Sequence, residues 1–241
     1  MIPVIVDKVV KNFGNVKALK GISFKVYEGE IFGLIGPNGA GKTTTMRILA
    51  TIVKPTSGKA LVFGRDVVEE AEEVRKLISY LPEDAEPYGR LTGYENLLYF
   101  ARIIAENEEE AKAMAELGAE ISGLGKDLYR KASTYSKGMK RRLLVARTLM
   151  LRPKLAILDE PTSGLDVFAA IDVRNLIENY AKRFNVTMII SSHNMLEVEY
   201  LCTRVALISS GKIVAIGTPR EIIDRTNSRN LEEAFTKIVR G

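Results

Sequence analysis

The sequence lacks tryptophan and glutamine and contains one cysteine, Cys202, and one histidine, His193, among its 241 residues. A single cysteine excludes an internal disulfide and is typical of proteins from reducing compartments. No apolar run approaches the roughly 18 to 20 residues that a membrane-spanning helix needs. We therefore expect a cytosolic chain that reaches a membrane only through a partner.

Charged residues of both signs are spread along the chain. The formal net charge of +5 and the pI of about 9.2 would permit attraction to nucleic acid or anionic lipid. Because acidic residues lie between the basic ones, this pattern indicates a solvated surface, and we expect no nucleic-acid partner. A hydrophobic content of 46% over this length suffices for one domain spanning residues 1–241.

Short β-rich runs alternate with helical patterns over most of the chain. This alternation predicts an α/β fold with a mainly parallel core sheet. At the start, residues 4–10 and 18–27 have strand patterns without a helix between them, which predicts an N-terminal antiparallel β layer. From about 82 to 152 the pattern is helical, which predicts an inserted α-helical subdomain. Other expected elements are strands at 31–35, 155–158, 186–190, 204–209 and 212–216, helices at 43–53, 95–105, 108–121, 168–183 and 195–201, and turns at 12–15, 55–58 and 210–211.

A glycine-rich octapeptide lies between the apolar run 31–35 and a helical pattern. It fits G-x-x-x-x-G-K-[ST] in the strand–loop–helix context of a phosphate-binding loop, and so predicts a P-loop NTPase. Its backbone N–H groups favour the β- and γ-phosphates of ATP, Lys42 adds a cation, and the Thr43 hydroxyl can ligate Mg²⁺. Thr44 is placed to bond an α-phosphate oxygen. The loop comprises Gly36, Pro37, Asn38, Gly39, Ala40, Gly41, Lys42 and Thr43.

A second apolar run, residues 155–158, ends in Asp159 and Glu160. Because ligands bind at the carboxyl edge of a parallel sheet, we expect Asp159 beside the nucleotide. One aspartate with Thr43 and phosphate oxygens suffices for Mg²⁺, which keeps several waters. Glu160 is placed to polarise the attacking water. The sequence therefore predicts a Mg²⁺-dependent ATPase.

In their order these motifs resemble the nucleotide-binding subunit of ATP-binding-cassette (ABC) proteins, over essentially the whole chain. Residues 135–139 occupy the place of that family's Leu-Ser-Gly-Gly-Gln signature, and residues 163–166, which end in Asp166, are similar to its D-loop. The resemblance implies that His193 is the family's switch histidine, which senses the γ-phosphate and joins Lys42 and Glu160 in catalysis. It also implies that Phe13 stacks on adenine.

In this family two subunits sandwich two ATP molecules head to tail. The resemblance therefore implies a homodimer or heterodimer in which the Ser136 hydroxyl and the Gly138 N–H contact the γ-phosphate of ATP held by the opposite subunit. A helix start, where both residues are expected, favours such contacts with an anion. Each active site is then shared between two chains.

The sequence departs from the family pattern at two places. Glu83 stands where the family has its Q-loop glutamine, which contacts the metal; a carboxylate adds negative charge beside phosphate, so we predict a stricter Mg²⁺ requirement. In the signature, Tyr135, Lys137 and Met139 replace leucine, glycine and glutamine. Lys137 either adds a cation near the opposite γ-phosphate or marks a weaker site that a different partner chain completes.

The resemblance implies an ATPase subunit that lies peripherally at the cytoplasmic face of the cell membrane and powers separate transmembrane permease subunits. Residues 83–97 would receive a cytoplasmic helix of the permease. The ending 230–238 is similar to that of ABC-2-type exporter subunits, which favours export over import. The alternatives are a soluble ABC-type ATPase that remodels a protein or nucleic-acid complex, and a small-molecule kinase on a P-loop fold.

Overall fold

The computed structural model of the chain describes residues 2–240. The single-domain prediction also includes Met1 and Gly241, which lie outside the described residues, and it stays a prediction. The strands are β1 (Val4–Phe13), β2 (Val16–Val26), β3 (Ile31–Ile35), β4 (Ser57–Val62), β5 (Arg65–Asp66), β6 (Ile78–Leu81), β7 (Leu155–Asp159), β8 (Thr187–Ser192), β9 (Arg204–Ser209) and β10 (Lys212–Gly217). The helices are α1 (Lys42–Leu49), α2 (Ala71–Arg75), α3 (Gly93–Ile104), α4 (Glu108–Ser122), α5 (Lys137–Leu149), α6 (Val167–Phe184), α7 (Met195–Leu201), α8 (Pro219–Arg225) and α9 (Leu231–Arg240).

Four strands form an antiparallel sheet in the order β2-β1-β4-β5, which confirms the predicted N-terminal layer. A two-residue turn joins β1 to β2, and its Gly14 has φ 56°. This left-handed conformation is easily adopted by glycine, so the turn was readable from sequence.

The turn predicted at 55–58 is wrong in part, because Ser57 and Gly58 begin β4. The register of β1 against β4 is irregular between Asp7 and Val10. A Cβ at Gly58 would lie 2.2 Å from the Lys8 carbonyl oxygen. Gly58 therefore allows two strands to approach closely and does not form a turn. From the sequence alone, these two roles of a glycine cannot be distinguished.

The six-stranded core sheet has the order β10-β9-β3-β8-β7-β6. Its neighbouring strands pair in parallel except β9 and β10, which confirms the predicted mainly parallel sheet. Ser210 and Gly211 have φ 49° and 78° in the β9–β10 hairpin, as a two-residue turn with this twist requires. The order places the carboxyl ends of β3, β8 and β7 side by side.

Hydrophobic side chains cover both faces of the core sheet. On one face, Phe32 and Ile189 pack with Met46 of α1 and with the inner side of the antiparallel sheet. On the other, Leu158 and Leu207 pack against α5 to α9. Fully burying one such side chain contributes about 1.5–3 kcal/mol, so these two layers hold the sheet edge in place.

The helices α3, α4 and α5 lie between β6 and β7 in the chain and share a separate hydrophobic cluster, which confirms the helical part. The helical prediction is wrong for residues 82–92, which form no helix. A capping box formed by Thr92 and Glu95 starts α3 at Gly93. The α5 helix also joins the core through the Tyr180 hydroxyl, which donates to the Leu149 carbonyl oxygen at 2.7 Å.

Helix α1 is shorter than the predicted 43–53, since it ends at Leu49 and Thr51 has φ 63°. The strands β4, β5 and β6 and the helices α2, α8 and α9 were not predicted. Among the described residues, no helix combines the length and apolar character needed to cross a membrane.

Candidate functional site

The phosphate-binding loop connects β3 to α1. A Cβ at Gly36 would lie 2.1 Å from the Ile208 carbonyl oxygen, so the adjacent strand leaves room for glycine alone. Gly41 precedes α1 with φ 111°, a conformation that residues with a Cβ rarely adopt. The two glycines therefore set the path of the loop and direct the first N–H groups of α1 toward it.

The Lys42 ammonium is buried at the base of the loop. Its Nζ donates to the carbonyl oxygens of Gly36 at 2.7 Å and Pro37 at 3.2 Å. It also lies 3.1 Å from Glu160 Oε1, and both side chains are about 5% exposed. Because breaking a buried ion pair typically costs about 3–5 kcal/mol, Lys42 and Glu160 hold each other in position.

Asp159 lies at the end of β7 and is fully buried. Its Oδ1 accepts from the Ser191 hydroxyl at 2.5 Å and from the Thr43 hydroxyl at 3.4 Å. Its Oδ2 accepts from the Tyr80 hydroxyl at 3.4 Å. Burial, together with the negative charge of Asp159, raises the pKa of Tyr80 to about 12, so the phenol stays a donor at neutral pH.

Glu160 follows Asp159 with φ 48°. Such a left-handed conformation at a residue other than glycine costs about 1–3 kcal/mol and is concentrated at functional sites. Its backbone N–H donates to Ser191 Oγ at 2.9 Å. Its Oε2 lies 2.8 Å from His193 Nδ1. The carboxylate therefore lies between the Lys42 ammonium and the His193 ring.

Thr43 and Asp159 are the oxygen donors that fit Mg²⁺. Their side-chain oxygens are 3.4 Å apart, and hard oxygen ligands are those that this ion prefers. Within residues 2–240 no cluster of three His, Cys, Asp or Glu side chains forms a complete metal cage.

A cavity of about 260 Å³ lies against the loop and brings together seven of the fourteen residues predicted to bind the nucleotide. Glu83 is among them, as the Q-loop prediction requires. Phe13 does not line this cavity; its ring is 50% exposed and lies under the Lys11 ammonium at 4.7 Å. Adenine stacking by Phe13 therefore stays a prediction. The cavity is lined by Ala18, Asn38, Gly39, Gly41, Lys42, Thr43, Thr44, Glu83 and Glu160.

The signature segment lies elsewhere, at the start of α5. Ser136 is exposed, and its hydroxyl accepts from the Met139 N–H at 3.2 Å as a helix cap. Gly138 is buried against α6, where an added Cβ would lie 2.7 Å from Ala169 Cβ. Asp166 caps α6 by accepting from the Ala169 N–H at 3.0 Å. The signature and the D-loop are thus adjacent, while their predicted contacts with ATP stay predictions.

The departures in the signature have structural reasons. Tyr135 is buried among the helices α3 to α5, and its hydroxyl donates to the Asp127 carbonyl oxygen at 2.6 Å. Met139 packs against the same cluster. Lys137 extends over the D-loop, where a Cβ at Gly164 would lie 2.3 Å from its Nζ. The Lys137 ammonium therefore lies beside the D-loop of its own chain.

Two residues of the site were missed from the sequence. Tyr80 and Ser191 lie 79 and 32 positions from Asp159, on β6 and β8. The signal that could have revealed Ser191 is its place directly after the strand predicted at 186–190. Their hydroxyls donate to the Asp159 carboxylate. A buried carboxylate needs such hydrogen-bond partners.

A family model described as "ABC transporter" matches residues 19–163. The chain is 38% identical to the linearmycin resistance ATP-binding protein LnrL of Bacillus subtilis (strain 168), over 98% of this chain and 78% of that protein. It is also 38% identical to the bacitracin transport ATP-binding protein BcrA of Bacillus licheniformis, over 92% of this chain and 71% of that one.

Among solved structures, the fold is similar to that of cbiO1 from Clostridium perfringens, described as part of the ABC transporter complex cbiONQ. The TM-score is 0.84 at 26% identity, and the match covers 92% of this chain and 91% of that one. Sequence and fold comparisons therefore agree.

Proposed function

Because the chain belongs to the ABC transporter family, as a subunit that binds and hydrolyses ATP, we propose that it powers the export of an antibiotic-like compound through separate membrane subunits. The observation that carries the catalytic part is the position of Glu160, whose carboxylate lies 3.1 Å from Lys42 Nζ and 2.8 Å from His193 Nδ1. The export part rests on relatives whose names refer to linearmycin resistance and bacitracin transport.

In this proposal Glu160 is the general base that takes a proton from the attacking water. Lys42 exchanges its hydrogen bonds to the Gly36 and Pro37 carbonyl oxygens for bonds to the phosphates, which its flexible four-carbon stem permits. His193 orients the Glu160 carboxylate and contacts the γ-phosphate. Thr43 and Asp159 would hold Mg²⁺, which neutralises charge on the phosphates.

The signature supports a shared active site. Ser136 is exposed and caps α5. The loop cavity, in contrast, is lined by residues of the phosphate loop and the start of α1, and by Ala18, Glu83 and Glu160. A head-to-tail dimer would bring Ser136 and Gly138 of one chain to the nucleotide of the other. Helix starts favour anions, which suits such a contact with a γ-phosphate.

The permease is proposed to dock at residues 83–97 and the neighbouring face of α3. Tyr88 and Tyr99 are 51% and 47% exposed and pack together with ring centroids 5.3 Å apart. Arg147 of α5 lies 4.0 Å from the centroid of the adjacent Phe100 ring. Exposed aromatic residues beside arginine are typical of protein interfaces. The chain would then lie peripherally at the cytoplasmic face of the membrane.

The alternative of a soluble remodelling ATPase is less well supported, because the relatives are transport and resistance proteins. The decisive experiment tags the chain at its native level, extracts membranes in mild detergent and identifies what co-purifies. We expect a polytopic membrane protein, and we expect the Tyr88→Asp/Tyr99→Asp variant to lose it while keeping its ATP affinity. Recovery from the soluble fraction alone would refute the export proposal and leave the ATPase intact.

A further inference from the structure

Ser191 is a fully buried residue at the end of β8, beside the two acidic residues that end β7. We infer that Ser191 is a positioning residue for ATP hydrolysis, whose single hydroxyl fixes both the Asp159 carboxylate and the backbone of Glu160. The inference rests on the proposed roles of these two acids and adds a residue that the sequence motifs do not include.

Of the two hydrogen bonds of the Ser191 hydroxyl, the one that it accepts determines where its proton points in the other. Its Oγ donates to Asp159 Oδ1 at 2.5 Å and accepts from the Glu160 N–H at 2.9 Å. A hydroxyl has one proton and two lone pairs. Because the Glu160 amide can only donate, the Ser191 proton is directed to Asp159 Oδ1, which accepts it. The hydroxyl therefore bonds the two acids as one unit.

The backbone explains why a side chain is needed at this point. Asp159 pairs with Ser191 in the parallel register of β7 and β8, and Glu160 then leaves the strand with φ 48°. The Ser191 hydroxyl receives the Glu160 N–H, which would otherwise be buried without a partner. Leaving such a group unpaired is costly, so the bond stabilises a conformation that residues other than glycine rarely adopt.

This conformation sets the direction of the Glu160 side chain. With φ at 48°, the carboxylate reaches both Lys42 and His193. The other bond of Ser191 fixes Asp159 Oδ1, which also faces the Thr43 hydroxyl. Loss of the hydroxyl should therefore affect the position of the base and the Mg²⁺ dependence together, whereas a general loss of packing would not couple them.

Neighbouring hydroxyls provide a control. Ser79 of β6 is 5% exposed, and in the described part of the chain its hydroxyl has no hydrogen-bond partner. It lies one strand from β7 and pairs with Ala156. The Ser79→Ala variant removes a buried hydroxyl of the same kind from the same sheet without touching either acid.

The experiment compares Ser191→Thr with Ser191→Val. Both add the same β-branched bulk to a buried position, and they differ in whether a hydroxyl remains. Turnover, the affinity for a fluorescent ATP analogue without Mg²⁺, and the Mg²⁺ concentration for half-maximal binding are measured for each. Hydrogen exchange of the peptide that contains the Glu160 amide is the readout independent of activity. Ser191→Ala serves as a second variant without added bulk.

We expect Ser191→Thr to stay within about threefold of the parent in turnover. Ser191→Val and Ser191→Ala should lose about 10- to 100-fold, as is usual when a group that orients a metal ligand is removed. Both should require more Mg²⁺ and exchange the Glu160 amide faster, with metal-free nucleotide affinity unchanged. Ser79→Ala should match the parent in every assay.

Equal turnover of Ser191→Thr and Ser191→Val, or Ser191→Ala at the parent rate, would overturn the inference. So would a loss of turnover with unchanged Mg²⁺ dependence and amide exchange. A Glu160→Gln variant in the same assays distinguishes this failure from that of the proposed function. If Glu160→Gln turns over normally, the base is misassigned, whereas the Thr and Val pair still reports on the Ser191 hydroxyl.

Discussion

At the carboxyl edge of the core sheet, Lys42, Asp159 and Glu160 are buried and bonded to one another or to nearby side chains. At the start of α5, Ser136 is exposed and its hydroxyl caps its own helix. The first region is preorganised within one chain, as electrostatic catalysis requires. The second exposes the Ser136 hydroxyl to solvent, while the nearby Gly138 is buried against α6. The difference fits the proposal that the first region forms on folding alone, whereas the second acts on a nucleotide held by a partner chain.

The largest expected effect comes from the buried region. Glu160→Gln should lower turnover by about 10²- to 10⁴-fold, because an amide cannot take the proton of the attacking water. ATP affinity should stay within a few-fold, since the phosphate loop is unchanged. Steady-state hydrolysis and equilibrium ATP binding measure the two quantities. Lys42→Ala is the contrasting variant and should weaken binding itself. Parent-like turnover in Glu160→Gln would remove this residue from the role of base.

The signature region should respond in a different way. Ser136→Ala should lower turnover by about 10- to 100-fold, because a hydrogen bond to a charged group contributes about 1.5–3 kcal/mol. Binding of ATP to the dilute monomer should not change. Asn107→Ala is the control, since Asn107 caps α4 in the same way by accepting from the Glu110 N–H. Equal losses of turnover in the two variants would show that Ser136 acts only as a helix cap.

A pH titration can sharpen the comparison further. The folded state holds the pKa of Tyr80 at about 12, from an ordinary value of 10. Between pH 10 and 12 the unfolded chain loses the phenol proton first, so the free energy of unfolding falls as pH rises. Tyr80→Phe should reduce that fall by about 1 kcal/mol, since the residue is only half-buried. Denaturant unfolding at pH 9 and pH 11.5 measures this change in the free energy of unfolding. An equal fall for the parent and Tyr80→Phe would contradict the raised pKa of Tyr80.

The smallest effect is expected at Glu83, which lies between the two regions. It lines both the loop cavity and a second cavity beside Lys137, and its carbonyl oxygen accepts from Arg141 at 3.0 Å. Glu83→Gln removes a negative charge beside phosphate and should lower the Mg²⁺ concentration for half-maximal activity about threefold, an effect typical of exposed charges. An unaltered Mg²⁺ requirement would show that Glu83 stays outside the metal site.

Several features followed from the sequence because they depend on local patterns. The phosphate loop was recognised because its glycines and Lys42 lie within eight consecutive residues between a strand and a helix. Asp159 and Glu160 were found because an apolar strand ends in two acids. The parallel core was visible in the alternation of strands and helices. The start of β4 was missed because glycine is typical of turns, whereas Gly58 allows the close approach of two strands.

Tertiary structure decided which distant residues meet these local motifs. The sheet order places β8 beside β7, and so brings Ser191 to Asp159 across 32 positions and His193 to Glu160 across 33. Tyr80 reaches the same carboxylate from β6. The sequence by itself was enough to predict the phosphate-binding loop, because all its residues are consecutive in the chain. Tertiary structure alone decided how Glu160 is held, because strand order and register are set by packing of the whole sheet.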